Sequence, residues 1–180
     1  MKKYELTNET IKIEGRTLHR IKALVDFADV EAGALGGFVE GEQNLSQDGD
    51  CWVFNYARVY DNAVVSEDAS LHDYSCACGH ALISGRASIY GAARVSGFAR
   101  VLGKAIVTRM AHVSGNACIF DYALVSNKAK VFDNAKIYEF AQVRGNACVC
   151  GDAKVYGFAQ LNGDAKLSGF AEMSDYDSRR

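Results

Sequence analysis

The sequence predicts an all-β chain wound into a parallel β-helix, on three observations. A six-residue pattern runs without insertion from Val53 to Glu172. Its first position is a branched aliphatic and its fifth an alanine. The 180 residues include no proline.

Twenty hexads fill that stretch. Position one is Val, Ile or Leu in nineteen of them, Ala77 being the exception, and position five is Ala in nineteen, Ser75 being the exception. Position three is Gly in eleven and Asp, Asn or Glu in eight, with Arg109 the outlier. Val and Ile favour extended backbone, and Gly, Asn and Asp give the freedom a bend requires. An α-helix would return its apolar residues every three or four positions, not every six. Each hexad is therefore a short strand and a corner. Position one points inward as the bulky core residue, and position five lies inside where only a small side chain fits. One hexad cannot bury its apolar side alone, so coils stack about 4.8 Å apart. Three hexads close a triangular coil, which predicts about seven coils. Proline is excluded because every strand gives its N–H to a neighbouring coil.

The segment before Val53 breaks the pattern. Ile11-Lys12-Ile13, Glu14-Gly15 and the run from Leu18 to Leu24 read as a β-hairpin that covers the first coil and shields its strand edges. Residues 1–52 are thus expected to form a cap with an irregular first coil or coils. Residues 53–176 form the regular helix, and 177–180 a tail.

Composition narrows the setting. Apolar residues are 49% and charged residues 23% of the chain, the balance of one globular domain. No apolar run is long enough to cross a membrane. The first residues lack the apolar core of a signal peptide, so a cytoplasmic location is expected. The six cysteines are then expected as reduced thiols. Cys76-x-Cys78 and Cys148-x-Cys150 do not match zinc spacing, and no metal is expected. The net charge of −2 makes long nucleic acid an unlikely partner.

The coil period places outward side chains in columns. Leu102, Phe120, Tyr138 and Tyr156 form one, at position two. Tyr122, Phe140, Phe158 and Tyr176 lie beside it, at position four, on what is expected to be the same side. Trp52, Phe54, Tyr56, Tyr74 and Tyr90 are expected on the surface near the N-terminal end. Stripes of this size mark contact surfaces. They suit a subunit interface, simple ladder packing of ring on ring, or a platform for a flat ligand. Arg58, Arg94, His112, Lys130 and Lys166 share a basic column interrupted by Cys76 and Cys148. Arg100, Lys136 and Lys154 share another, interrupted by Cys118. Arg86 and Lys104 stack at a corner. Such columns suit either solvation or capture of a phosphate-like anion.

Arg109 breaks the corner pattern, with Met110 and His112 beside it. A repeat tends to break where something other than stacking is needed. The expected ligand-binding residues are therefore Arg109, His112, Arg94, Lys130, Tyr138, Tyr156, Phe140 and Phe158. The candidate bases are His72, His80 and His112, with His19 in the cap. The cationic neighbours of His112 should lower its pKa and keep it neutral. A Cys78–His80 nucleophile pair is a weaker alternative. No dinucleotide, phosphate-loop or nucleophile-elbow motif occurs.

The hexads resemble the hexapeptide-repeat, left-handed β-helix superfamily over about 70% of the chain. Left-handedness is implied by that resemblance alone, since parallel crossovers are normally right-handed. Gly33-Ala34-Leu35-Gly36-Gly37-Phe38-Val39-Glu40, Asn44-Leu45-Ser46 and Gly49-Asp50-Cys51-Trp52-Val53 are more specific. They are similar to the YdcK-type proteins of bacteria and prophages, which are often labelled acyltransferases. The resemblance implies trimers, and acyl-CoA lying along the coils with a His as general base, here His112 or His80. The hexads run without the extruded loop that often shapes such sites.

Three functions follow as expectations. The first is a non-catalytic homo-oligomer, expected as a trimer, holding a small anionic, nucleotide-like ligand between subunits without a cofactor. The second is a CoA-dependent acyltransferase. The third is a structural or protein-binding solenoid whose aromatic stripe is the subunit contact.

Overall fold

The computed structural model describes residues 2–175. Tyr176 and the expected tail lie outside that range. The chain opens with the antiparallel strands β1 (Tyr4–Ile13) and β2 (Arg16–Ala23). Glu14 and Gly15 join them with φ of 51° and 80°. Positive φ at both central residues is the condition for the tight hairpin turn whose twist matches its strands. Strand β3 (Leu35–Val39) pairs with β2 and then, in parallel, with Arg58–Val59. The hairpin thus continues one face of the helix beyond its first coil.

From Trp52 onward every strand is two residues long, made of position six of one hexad and position one of the next. Parallel pairs such as Arg94↔His112 and Val95↔Val113 join residues one coil apart. The strands fall into three sheets, one for each face of the prism. The hairpin face has ten strands and carries Arg58, Cys76, Arg94, His112, Lys130, Cys148 and Lys166 outward. A second, basic face has seven strands and carries Arg100, Cys118, Lys136 and Lys154. The third face, also of seven strands, carries Ser70, Ser88, Ile106 and Leu124. Both basic columns therefore stand in the expected register.

The interior follows the repeat. Every position-one residue from Val53 to Val155, and every alanine of position five from Ala57 to Ala153, is at most 1% exposed. All twenty residues of position three, from Asn55 to Gly169, have positive φ. The corner is thus a single left-handed residue, and Arg109 adopts it at φ 64° like the glycines around it. Acidic residues there do more than bend the chain. Carboxylates of Asp61, Glu67, Asp73, Asp133 and Glu139 accept the corner N–H of the next coil, at Gly79, Gly85, Gly91, Gly151 and Gly157, over 2.6–3.0 Å.

The first coil departs from the hexads and adds a turn, giving about eight rather than seven. Phe38–Val39 supplies one side, Leu45 bridges to Val65 on the second, and Trp52–Val53 forms the third. Asn44 is fully buried, and its amide donates to Asp61 O and Ala63 O at 2.9 Å each. Trp52 is only 2% exposed and meets Tyr4 and Phe27 edge-to-face at 6.1 and 5.3 Å. The expectation of an outward Trp52 is thereby corrected. Its column is covered by the cap, which needs a large apolar side chain to close the end of the core. Tyr4 completes that seal and donates its hydroxyl to Leu45 O at 2.7 Å. Among the described residues, no helix is long and apolar enough to cross a membrane.

Candidate functional site

The sequence-derived residues divide into two groups. Arg94, His112 and Lys130 are consecutive rungs of the hairpin face, with Arg109 at the corner preceding it. Tyr138, Tyr156, Phe140 and Phe158 flank the opposite corner, between the basic face and the Ser70 face. The two aromatic columns stand on either side of that corner rather than on one side of the prism. The left-handed residues Asp121 and Glu139 turn the chain between them. Within one chain the hairpin-face cations and these aromatics do not meet.

The aromatic columns are closed ladders. Phe120, Tyr138 and Tyr156 stack at 4.9 and 5.2 Å, with planes within 5° of parallel. Tyr122, Phe140 and Phe158 stack at 5.0 Å each. Stacked rings use their faces on one another, so a flat ligand could slip between two of them only by prising coils apart. Their edges remain outside, Phe158 being 64% exposed. An apolar stripe of ring edges suits packing against another surface better than stacking a base.

His112 sits as the register required. Burial first, and then the charges of Arg94 and Lys130, push its pKa down. Its Nε2 lies 3.3 Å from Ser96 Oγ. Arg94, however, turns its guanidinium to Cys78 Sγ at 3.2 Å, not toward His112. His80 stacks on Phe98 at 4.6 Å. Arg109 lines an open concavity of about 370 Å³ with Met110, Asn127, Lys128, Gly145 and Asn146. Two cations and no carboxylate border it, which suits an anion.

The larger cleft, about 470 Å³, lies on the Ser70 face next to the cap. Phe54, His72 and Tyr90 form one wall, Asp68 and Arg86 the other, and Ser70 and Ser88 the floor. Ala28, Asp29, Val30 and Asp50 close the cap end. Ser70 Oγ and Ser88 Oγ are hydrogen-bonded at 3.1 Å. The His72 ring is clamped between Phe54 at 4.4 Å and Tyr90 at 4.5 Å. That sandwich leaves only its edge, where the nitrogens are, for a ligand. Neither nitrogen has a hydrogen-bond partner among the described residues. Burial lowers the His72 pKa against the weaker pull of Asp73, which favours the neutral ring. Three carboxylates against one guanidinium make the lining acidic.

His72 was among the candidate bases of the sequence, but this cleft was not. The spacing of Phe54, His72 and Tyr90 by one coil was a usable signal for the wall. The Ala28–Val30 end was not, because it belongs to no repeat. The Arg109 concavity starts one coil beyond Tyr90, since Gly91 lies directly beneath Arg109. Cleft and concavity therefore follow one corner of the prism in succession. Among the described residues, no group of three or more His, Cys, Asp or Glu could hold a metal.

Comparison with known proteins points the same way as the repeat. Residues 57–73 match the family model described as YdcK Beta solenoid repeat. A segment of 75 residues is 36% identical to "Uncharacterized acetyltransferase YdcK" of Escherichia coli (strain K12). The match takes in 37% of this chain and 23% of that relative, so the chain spans under a quarter of the protein it resembles.

Proposed function

From a chain that carries the YdcK-type hexapeptide repeat, we propose an acyl-transfer site in the cap-side cleft. A small polar acceptor binds there, and the donor is a CoA thioester. The observation that carries this reading is the neutral, unpartnered imidazole of His72, fixed between two rings on the cleft wall. A general base must be unprotonated at working pH and free to accept a proton. His72 meets both conditions, whereas the ring of His112 already faces Ser96. The acidic lining favours an amine over an anionic acceptor. His72 takes the amine proton as the nitrogen adds to the thioester carbonyl, and the CoA thiol leaves. The concavity of Arg109 and Lys128, which begins on the next coil along the same corner, suits the phosphates of such a donor.

The test is thiol release from acetyl-CoA with a panel of small amines. His72→Gln should lower kcat by about 10²–10⁴-fold. The wild-type acid limb should lie below 6.5, the ordinary imidazole value, because the folded pKa is lowered. Full activity above that limb and loss below it follow from a base that works unprotonated. Undiminished turnover in His72→Gln would remove the base from His72.

The second reading is a non-catalytic holder of a small anionic, nucleotide-like ligand at Arg109. It is favoured by the two cations and the carboxylate-free lining of that concavity among the described residues. It predicts nucleotide binding that Arg109→Ala abolishes, with no acetyl-CoA turnover. In either reading the ring-edge stripe is the surface expected to face a second copy. The double variant Phe140→Asp/Phe158→Asp should then run as a monomer on size exclusion where the wild type does not. An unchanged elution volume would take the stripe out of self-association.

A further inference from the structure

We propose that Cys76 and Cys78 are an oxidisable dithiol: Cys78 attacks a small peroxide, and Cys76 resolves the product to an intramolecular disulfide. The site is separate from the cleft and lies on the hairpin face. Ala77 points into the core between the two cysteines, so both thiols leave the strand on its outer side. Both pack with Tyr60 in one small buried cluster beneath the hairpin. The Arg94 guanidinium donates to Cys78 Sγ at 3.2 Å. A cation beside one thiol and a second thiol beside the first are the two parts of a nucleophile with a resolving partner. The neighbouring Cys76 thiol, with Tyr60 and Arg94, pulls the Cys78 pKa down against the cost of burial. Cys76 is pushed up, so Cys78 is the more acidic of the two thiols.

The pair is covered but not sealed. Cys76 and Cys78 are 7% and 3% exposed beneath Leu18, Ile11 and Ile13 of the hairpin. Ile11 and Ile13 are themselves only partly buried, so solvent reaches the cover. A molecule as small as hydrogen peroxide can pass where a bulky reagent cannot. The atoms balance within the site. The Cys78 thiolate attacks one peroxide oxygen, the O–O bond breaks, and hydroxide leaves to become water. The Cys76 sulfur then attacks the Cys78 sulfenic acid, the S–S bond forms, and a second water carries off the oxygen and the Cys76 proton. Two thiols lose two electrons and one peroxide becomes two waters.

The repeat supplies its own control. Cys148 and Cys150 occupy the same hexad positions four coils away. Lys166 stands in register with Cys148 where Arg94 stands with Cys76, and burial raises the Cys148 pKa. The experiment treats intact, reduced protein with hydrogen peroxide and follows both tryptic peptides by mass spectrometry. A loss of two hydrogens is expected first on the peptide with Cys76 and Cys78. In Cys76→Ser, unfolding the peroxide-treated protein in dimedone should place the adduct on Cys78, and Arg94→Gln should slow the reaction about tenfold. Equal rates for the two pairs, oxidation of neither, or trapping at Cys76 in Cys78→Ser as fast as at Cys78 in Cys76→Ser would overturn the proposal.

Discussion

Gly85→Val should destabilise the protein by about 2–5 kcal/mol, while Gly85→Asp costs far less. Gly85 turns a corner at φ 72°, and a Cβ there would lie 2.7 Å from both the N and the O of Gly103. Valine adds a branched side chain to a left-handed backbone, which sterics disfavour, and presses it on the next coil. Aspartate meets the same backbone, but the fold already contains the remedy. Glu67, one coil below, holds φ 58° and accepts the N–H of Gly85 at 2.6 Å. An Asp at 85 can accept the N–H of Gly103 in the same way, returning about 1 kcal/mol. Thermal unfolding of the two variants against wild type checks this. Equal losses would mean that the corner carboxylates are ornaments of the turn and not ties between coils.

Val131→Asp should have the larger effect of the two. Val131 is fully buried, between Val113 and Val149 in the same core column. A carboxylate there has no cation to meet, and leaving a buried charge uncompensated costs about 3–5 kcal/mol. In a stack where each coil touches only its neighbours, that loss is local before it is global. The coils from the cap to residue 113 should stay protected from hydrogen exchange, while those on either side of 131 open. Leu167→Asp should be milder, because Leu167 is only partly buried. Uniform loss of protection along the chain would show a single cooperative unit instead.

The repeat made most of the fold legible because it says the same thing twenty times. Val at position one and Ala at position five leave no other periodicity, and the coil period then fixes every register. The lowered pKa of His112 was readable for that reason, since Arg94 and Lys130 had to flank it. What escaped lies where nothing repeats. Trp52 shares its column with Ser70 and Ser88, and only the cap, through Tyr4 and Phe27, turns it into core. The cap-side cleft needed the Ala28–Val30 segment to fold back over Phe54, a tertiary event that no pattern announces. The aromatic columns were found, with ladder packing among the readings they allowed. Face-to-face spacing near 5 Å, visible only in three dimensions, makes them ladders with used faces. Arg109 breaks the pattern in sequence only. Its backbone is ordinary for a corner, and what distinguishes it is the basic concavity it borders.

The central claim is that the cap-side cleft, with His72 on its wall, is where a small molecule binds. The chain has four histidines, so protein labelled with ¹³C-histidine gives four imidazole signals to follow. Titration with putrescine, and then with acetyl-CoA, should move the His72 signal and leave His19 and His80 in place. Asp50→Asn/Asp68→Asn should weaken the putrescine response. Movement of His112 or His80 with His72 unmoved would contradict the account and return the site to the open faces of the prism.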